Sequence, residues 1–338
     1  MTLNELWFIL VAVLFVGFFF LEGFDFGVGM LTRILGRNEK EREQLINTIG
    51  PFWDANEVWL ITAGGALFAA FPHWYATMFS GYYIPFVFFL LALIARGVGI
   101  EYTHHALSTK WRNVWQWLVF IGSVLAPFLL GVLFTSLVKG MPIDETMTLY
   151  GGFTDYVNVY SVVGGLAVVL LSLVHGLTFV GLRTEGSLRE RAISLLNKVY
   201  ILLFAGLVIF AVLTYFQTDL FDVRPVATPV FLVVIVLSAV LGFIFSQKRK
   251  EGWAFAMTGL TIIATVAMLF VGLFPRVMIS SIDPAFNLTI TNAASGHYTL
   301  SLMTKIAFTL LPFVLGYQIW SYYVFRKRIS DKETVSSK

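Results

Sequence analysis

The chain of 338 residues is 58% hydrophobic and 16% aromatic, with only 13% charged residues and a mean hydropathy of +0.80. That composition excludes a soluble globular domain and marks an integral membrane protein. The absence of cysteine excludes disulfides, iron–sulfur clusters, thiolate haem ligation and thiol nucleophiles, and the net charge of +3 does not point to nucleic acid, because the basic residues sit in short connections beside apolar runs.

A membrane-spanning helix needs about 20 mostly apolar residues. Nine runs answer to this, at about 6–32, 52–71, 81–106, 113–137, 157–181, 199–218, 226–246, 253–274 and 300–325. The first lacks a basic leader and a small-residue cleavage site, so it reads as a retained helix. The connections alternate in charge. One set holds Arg33, Arg37, Lys40 and Arg42; Lys110 and Arg112; Arg183, Arg189, Arg191 and Lys198; Lys248, Arg249 and Lys250; and the tail's Arg326, Lys327, Arg328, Lys332 and Lys338. The other set holds only Lys139, Arg224 and Arg276. The positive-inside bias then puts the N-terminus outside and the C-terminus in the cytoplasm. The connections at 139–156 and 275–299 read most simply as solvated loops, although either has the length to cap a ligand or a partner. A short echo between 126–131 and 311–316 is too brief to argue duplication.

Orientation turns the charges into a depth map, at 1.5 Å per residue. Glu22 and Asp25 fall in the inner half of the first span, and Asp54 and Glu57 open the second from the cytoplasmic side. Arg96 lies past the midplane of the third, with Glu101 close to the inner face and His104 and His105 beyond it. Asp54 and Glu57, three apart, share a helical face. Five acids cannot all be neutralised by the one internal arginine, so some must be protonated or hydrated, as in a proton relay. A plainer reading pairs Arg96 with Glu101 or Asp25 to fix helix packing.

Gly23 and Gly27, four apart in Gly23-Phe-Asp-Phe-Gly27-Val-Gly29, allow another helix to approach closely. No strand precedes them, so they are not a dinucleotide motif. Of His73, His104, His105, His175 and His297, only His175 lies inside a span, where a hydrogen-bonded histidine is a commoner finding than a ligand. No redox centre or metal site is expected in this chain. Trp111, Trp115 and Trp117 read as an interfacial belt.

Three segments resemble subunit II of bacterial cytochrome bd quinol oxidases: Leu21-Glu-Gly-Phe-Asp-Phe-Gly-Val-Gly29, Gly50-Pro-Phe-Trp-Asp-Ala-Asn-Glu-Val-Trp-Leu60 and Arg96-Gly-Val-Gly-Ile-Glu-Tyr102. The resemblance implies an all-α polytopic membrane protein with nine transmembrane helices, arranged as two four-helix bundles plus one peripheral helix. The first bundle would span about 1–138, and the second with the peripheral helix about 157–325. It also implies a haem-bearing partner, subunit I, that carries two haem b groups, haem d and the quinol site. A small single-helix subunit can accompany the pair, and a structural quinone or lipid can sit in this one. The implied reaction is quinol oxidation coupled to reduction of oxygen in the bacterial cytoplasmic membrane. Asp25, Asp54 and Glu57 would belong to a proton path toward the oxygen-reducing haem, with Glu22 and Glu101 beside them and Arg96 as the charge partner. A secondary proton or cation transporter using the same acids stays open, as does a purely structural anchor.

Overall fold

The computed structural model describes residues 1–329; Lys332 and Lys338 of the basic tail lie outside the described residues. The chain runs through α1 (Leu3–Ile34), α2 (Glu39–Ile49), α3 (Trp53–Ala70), α4 (Pro72–Gly81), α5 (Tyr83–His104), α6 (Thr109–Lys139) and a single turn, α7 (Phe153–Tyr156). It continues through α8 (Val159–Arg183), α9 (Gly186–Gln217), the turn α10 (Leu220–Val223), α11 (Ala227–Gln247), α12 (Glu251–Leu273) and α13 (His297–Val324). Between α12 and α13, β1 (Arg276–Met278) pairs antiparallel with β2 (Leu288–Thr289).

Eight of these helices are long and apolar enough to cross a membrane: α1, α5, α6, α8, α9, α11, α12 and α13. The second apolar run is α3, whose 18 residues rise roughly 27 Å. Its first turns carry Asp54, Asn56 and Glu57, and these polar residues leave it outside that set of eight. Two helices form where only connections were expected. Asn38 accepts from the Glu41 N–H and starts α2, an N-cap signal visible in the sequence. Pro72 occupies the first turn of α4, where its missing N–H costs nothing. In addition, α9 begins well ahead of the apolar run at 199.

Ion pairs gather the basic connections at one end of the bundle. Arg191 meets Glu41 at 2.8 Å, Arg249 meets Glu190 at 2.7 Å and Arg328 meets Glu251 at 3.8 Å. At the opposite end the two long loops are not the solvated connections that their polarity suggested. Met141 bridges to Ser280, the Ser280 hydroxyl donates to the Ile143 carbonyl at 2.6 Å, and Met141, Ile143, Val277, Met278 and Leu288 are buried together. The loops cap each other because their alternate apolar residues give them a small core of their own.

The centre is α1, which packs against α3, α6, α8 and α12, while α8 also packs against α6, α9 and α12. Glycines set these distances. A methyl group at Gly27 would lie 2.7 Å from Gly176 Cα, and one at Gly131 would lie 2.7 Å from Gly165 Cα. Backbones that close gain dispersion contact that lipid cannot replace. By contrast α13 packs against α1 and α3 and is otherwise largely exposed.

Candidate functional site

The glycine contacts that draw α1 into the centre carry Glu22 and Asp25 with them, and both are fully buried. Each acid buried at membrane depth costs about 2.5–3.5 kcal/mol unless it is compensated. The compensation comes from two neighbouring helices. Arg96 of α5, itself fully buried, forms an ion pair with Glu22 and lies 3.5 Å from Glu57 Oε2 of α3. Its guanidinium sits 4.8 Å over the Phe26 ring, and Gly122 of α6 leaves room for its Cβ. Asp25 has a different partner: the Asn56 side-chain amide donates to its Oδ2 at 2.7 Å. The other Asp25 oxygen, Oδ1, is buried with no hydrogen-bond partner among the described residues.

Glu57 stands at the edge of this cluster. Its side chain is 21% exposed, and it helps to line a groove of about 400 Å³ between α3 and α5 together with Asp54 and Glu101. Those two acids are exposed on the outer face of their helices and do not join the buried set. Arg96 therefore pairs with Glu22 and Glu57, and the pairing with Glu101 or Asp25 considered from sequence does not form. The reason is helical phase: Glu101 is five residues beyond Arg96, which turns it about 140° away.

Three residues that nothing in the sequence singles out complete the network. Asn56 sits between the two acids of α3, while Gln318 and Tyr322 come from α13. Tyr322 donates to Asn56 Oδ1 at 2.8 Å, and Gln318 Nε2 approaches the same oxygen at 3.4 Å. Tyr322 also stacks on Phe52 with ring centres 4.4 Å apart. Their only sequence signal is polarity four residues apart on an otherwise apolar run.

His175 is buried in the core, with Nδ1 2.8 Å from the Thr258 hydroxyl. Its ring lies parallel to Phe255 at 4.4 Å and is edged by Phe20 and Phe24. Among the described residues no three His, Asp or Glu side chains are placed to hold a metal ion.

The family described as cytochrome bd terminal oxidase subunit II matches residues 3–325. The chain is 58% identical to cytochrome bd ubiquinol oxidase subunit 2 of Bacillus subtilis (strain 168), over 99% of both chains. It is 37% identical to cytochrome bd-I ubiquinol oxidase subunit 2 of Escherichia coli (strain K12), over 98% of this chain and 96% of that one. Its fold matches a chain of the bd oxidase from Geobacillus thermodenitrificans with a TM-score of 0.76 and 16% identity, covering 96% of this chain and 99% of the other. A multi-pass protein of the bacterial cytoplasmic membrane, the chain belongs to the cytochrome bd terminal oxidase subunit II family.

Proposed function

We propose that this chain is the haem-free subunit of a quinol:oxygen oxidoreductase, scaffolding a haem-bearing subunit I and leading protons to it from the cytoplasm. In this reading α3 is a ninth span, the N-terminus is outside, and the basic end faces the cytoplasm. The helices group as two four-helix bundles, α1, α3, α5 and α6 in one and α8, α9, α11 and α12 in the other, with α13 at the periphery. Two haem b groups and haem d are assigned to subunit I, which would also take up quinol and oxygen. The burial of His175 among Phe20, Phe24 and Phe255 supports that assignment, since it leaves the ring enclosed by packed side chains. Haem supplies electron transfer and oxygen reduction; the residues of this chain hold and pass protons.

The observation that carries the proton path is the double position of Glu57. It lines the open groove with Asp54 and Glu101 and also touches Arg96 of the buried cluster. A proton entering at Asp54, with Glu101 beside it in the groove, can reach Glu57, and from there the Arg96, Glu22 and Asp25 set, without crossing apolar packing. One cation, Arg96, cannot neutralise all three acids, and their mutual repulsion keeps them from charging together. A transporter would favour a midplane site on broken helices, whereas these acids lie toward one end of unbroken helices.

The test is turnover against assembly. Asp25→Asn and Asp54→Asn should each slow oxygen consumption by about 10²-fold or more, with the complex still isolated intact. Native turnover in both variants ends the proton-path reading, and loss of the complex in both favours a packing role.

A further inference from the structure

The hydrogen bonds around Asp25 form a chain whose donor and acceptor roles are forced from one end. An indole N–H can only donate, so the Trp59 contact at 2.9 Å requires Gln318 to present Oε1. Gln318 Nε2 then faces Asn56 Oδ1 at 3.4 Å. The Tyr322 hydroxyl brings a second donor to that oxygen at 2.8 Å. With its oxygen engaged twice, Asn56 must present Nδ2 to Asp25 Oδ2, at 2.7 Å. The amide orientations thus follow from the network, which is the only sound basis for assigning them.

We propose that Gln318 and Tyr322 are positioning residues that make Asp25 one-sided: its Oδ2 always accepts from a fixed amide, and its transferable proton is held at Oδ1. A proton on Oδ2 would point at the Asn56 N–H, placing donor against donor. Oδ1 receives no fixed donor, and the groups that face Asp25 besides Asn56 are the carboxyl of Glu22, in contact with it, and Arg96 and Glu57 beyond; of the two oxygens Oδ1 is therefore the one able to take up and release a proton. The proposal also accounts for polar residues on α13, a helix that otherwise contributes little to the core. It deepens the proton-path reading and rests on it for its functional meaning, although the positioning itself can be tested separately.

The experiment uses the complex purified with its partner, carrying Tyr322→Phe and Gln318→Met singly and together, with the exposed Tyr317→Phe as control. Infrared difference spectra on reduction give the bands of Asp25, identified by their loss in Asp25→Asn; oxygen consumption against pH gives the functional readout. The double variant should assemble normally, move the Asp25 bands, displace the pH profile and lower turnover about 3- to 10-fold. Tyr322→Phe alone, which keeps the Gln318 donor, should do less, and Tyr317→Phe nothing. Asp25 bands and a pH profile that stay in place in the double variant overturn the proposal, as does a wild-type spectrum with no Asp25 band at all. If Asp25→Asn turns over normally while the bands still move in the double variant, the proton path fails and the positioning stands. If Asp25→Asn is slow but the bands do not move, only the positioning fails.

Discussion

Arg96 is a cation buried with two carboxylates in contact, so removing it and removing one of its partners have unequal consequences. Breaking a buried pair from one side leaves an uncompensated charge, at a cost of about 3–5 kcal/mol. Arg96→Met should therefore sharply reduce the folded protein recovered from membranes, and Glu22→Gln combined with Arg96→Met should recover much of the loss. Thermal unfolding of the two variants beside the parent in one detergent checks this, and a double variant no more stable than Arg96→Met would contradict it. Glu41 at the basic end offers a pH test. Partial burial opposes its ionisation, but the Arg37 N–H at 2.8 Å and the Arg191 guanidinium prevail and hold its carboxyl below the usual range. A carboxyl with a lowered folded value adds stability above its unfolded value, near 4.5, and loses it as pH falls through the folded one. Glu41→Gln should lower the unfolding midpoint slightly at pH 7, by about 0.2–1 kcal/mol of stability, and the gap should close below about pH 4.5. An equal gap at pH 7 and pH 4 would falsify the assignment. Glu22, Asp25, Glu57 and Arg96 stand out in the sequence because charge is costly inside an apolar run. Asn56, Gln318 and Tyr322 do not, since neutral polar residues are ordinary there and Tyr322 meets Asn56 across 266 positions.

Among the elements, the contact of α1 with α8 depends most narrowly on residue size. A side chain at Gly27 would collide with the Ser172 carbonyl, and one at Gly176 would come within 2.6 Å of Gly27 Cα. These obstacles are backbone, which cannot swing aside as a side chain can, so Gly27→Val and Gly176→Val should each prevent normal assembly. Gly252, in the first turn of α12, has nothing within 4 Å of an added Cβ; Gly252→Ala should be neutral or slightly stabilising, by at most about 1 kcal/mol. Recovery of the complex by size exclusion checks all three, and a well-assembled Gly27→Val would remove the close contact from the account. The sequence announced this approach through Gly23 and Gly27, although it is Gly27 that meets the Gly176 backbone. It also carried the N-cap of α2, Asn38, and the first-turn proline of α4, Pro72, but both helices escape a search for apolar runs because they are short and mixed in polarity. The long loops were misjudged for a related reason. Their apolar residues alternate with polar ones, and only pairing with a distant loop turns them inward.

At the scale of the whole molecule, Asp54 and Glu101 pose the sharpest question, because they lie on an outward face of a chain built for lipid. Around them on α3 and α5, Val58, Ile61, Ile94 and Tyr102 are also exposed. A face that is mostly apolar yet carries two carboxylates at membrane depth is poorly suited to hydrocarbon, where ionisable groups turn inward or toward water. It suits a protein partner that covers the apolar rows and leaves the groove wet. The subunit I surface is therefore expected here, and the acids would then lie at the junction through which protons pass. A hydrophobic carbodiimide distinguishes the possibilities, since it modifies carboxyl groups that it reaches from the lipid phase. In the intact complex, mass spectrometry after such treatment should find Asp54 and Glu101 unmodified, as well as the buried Glu22 and Asp25. Partial dissociation of the complex should expose the first two to modification and leave the second two protected. Ready modification of Asp54 in the intact complex would place it against lipid, and the route from groove to Glu57 to Arg96 would then begin outside the protein.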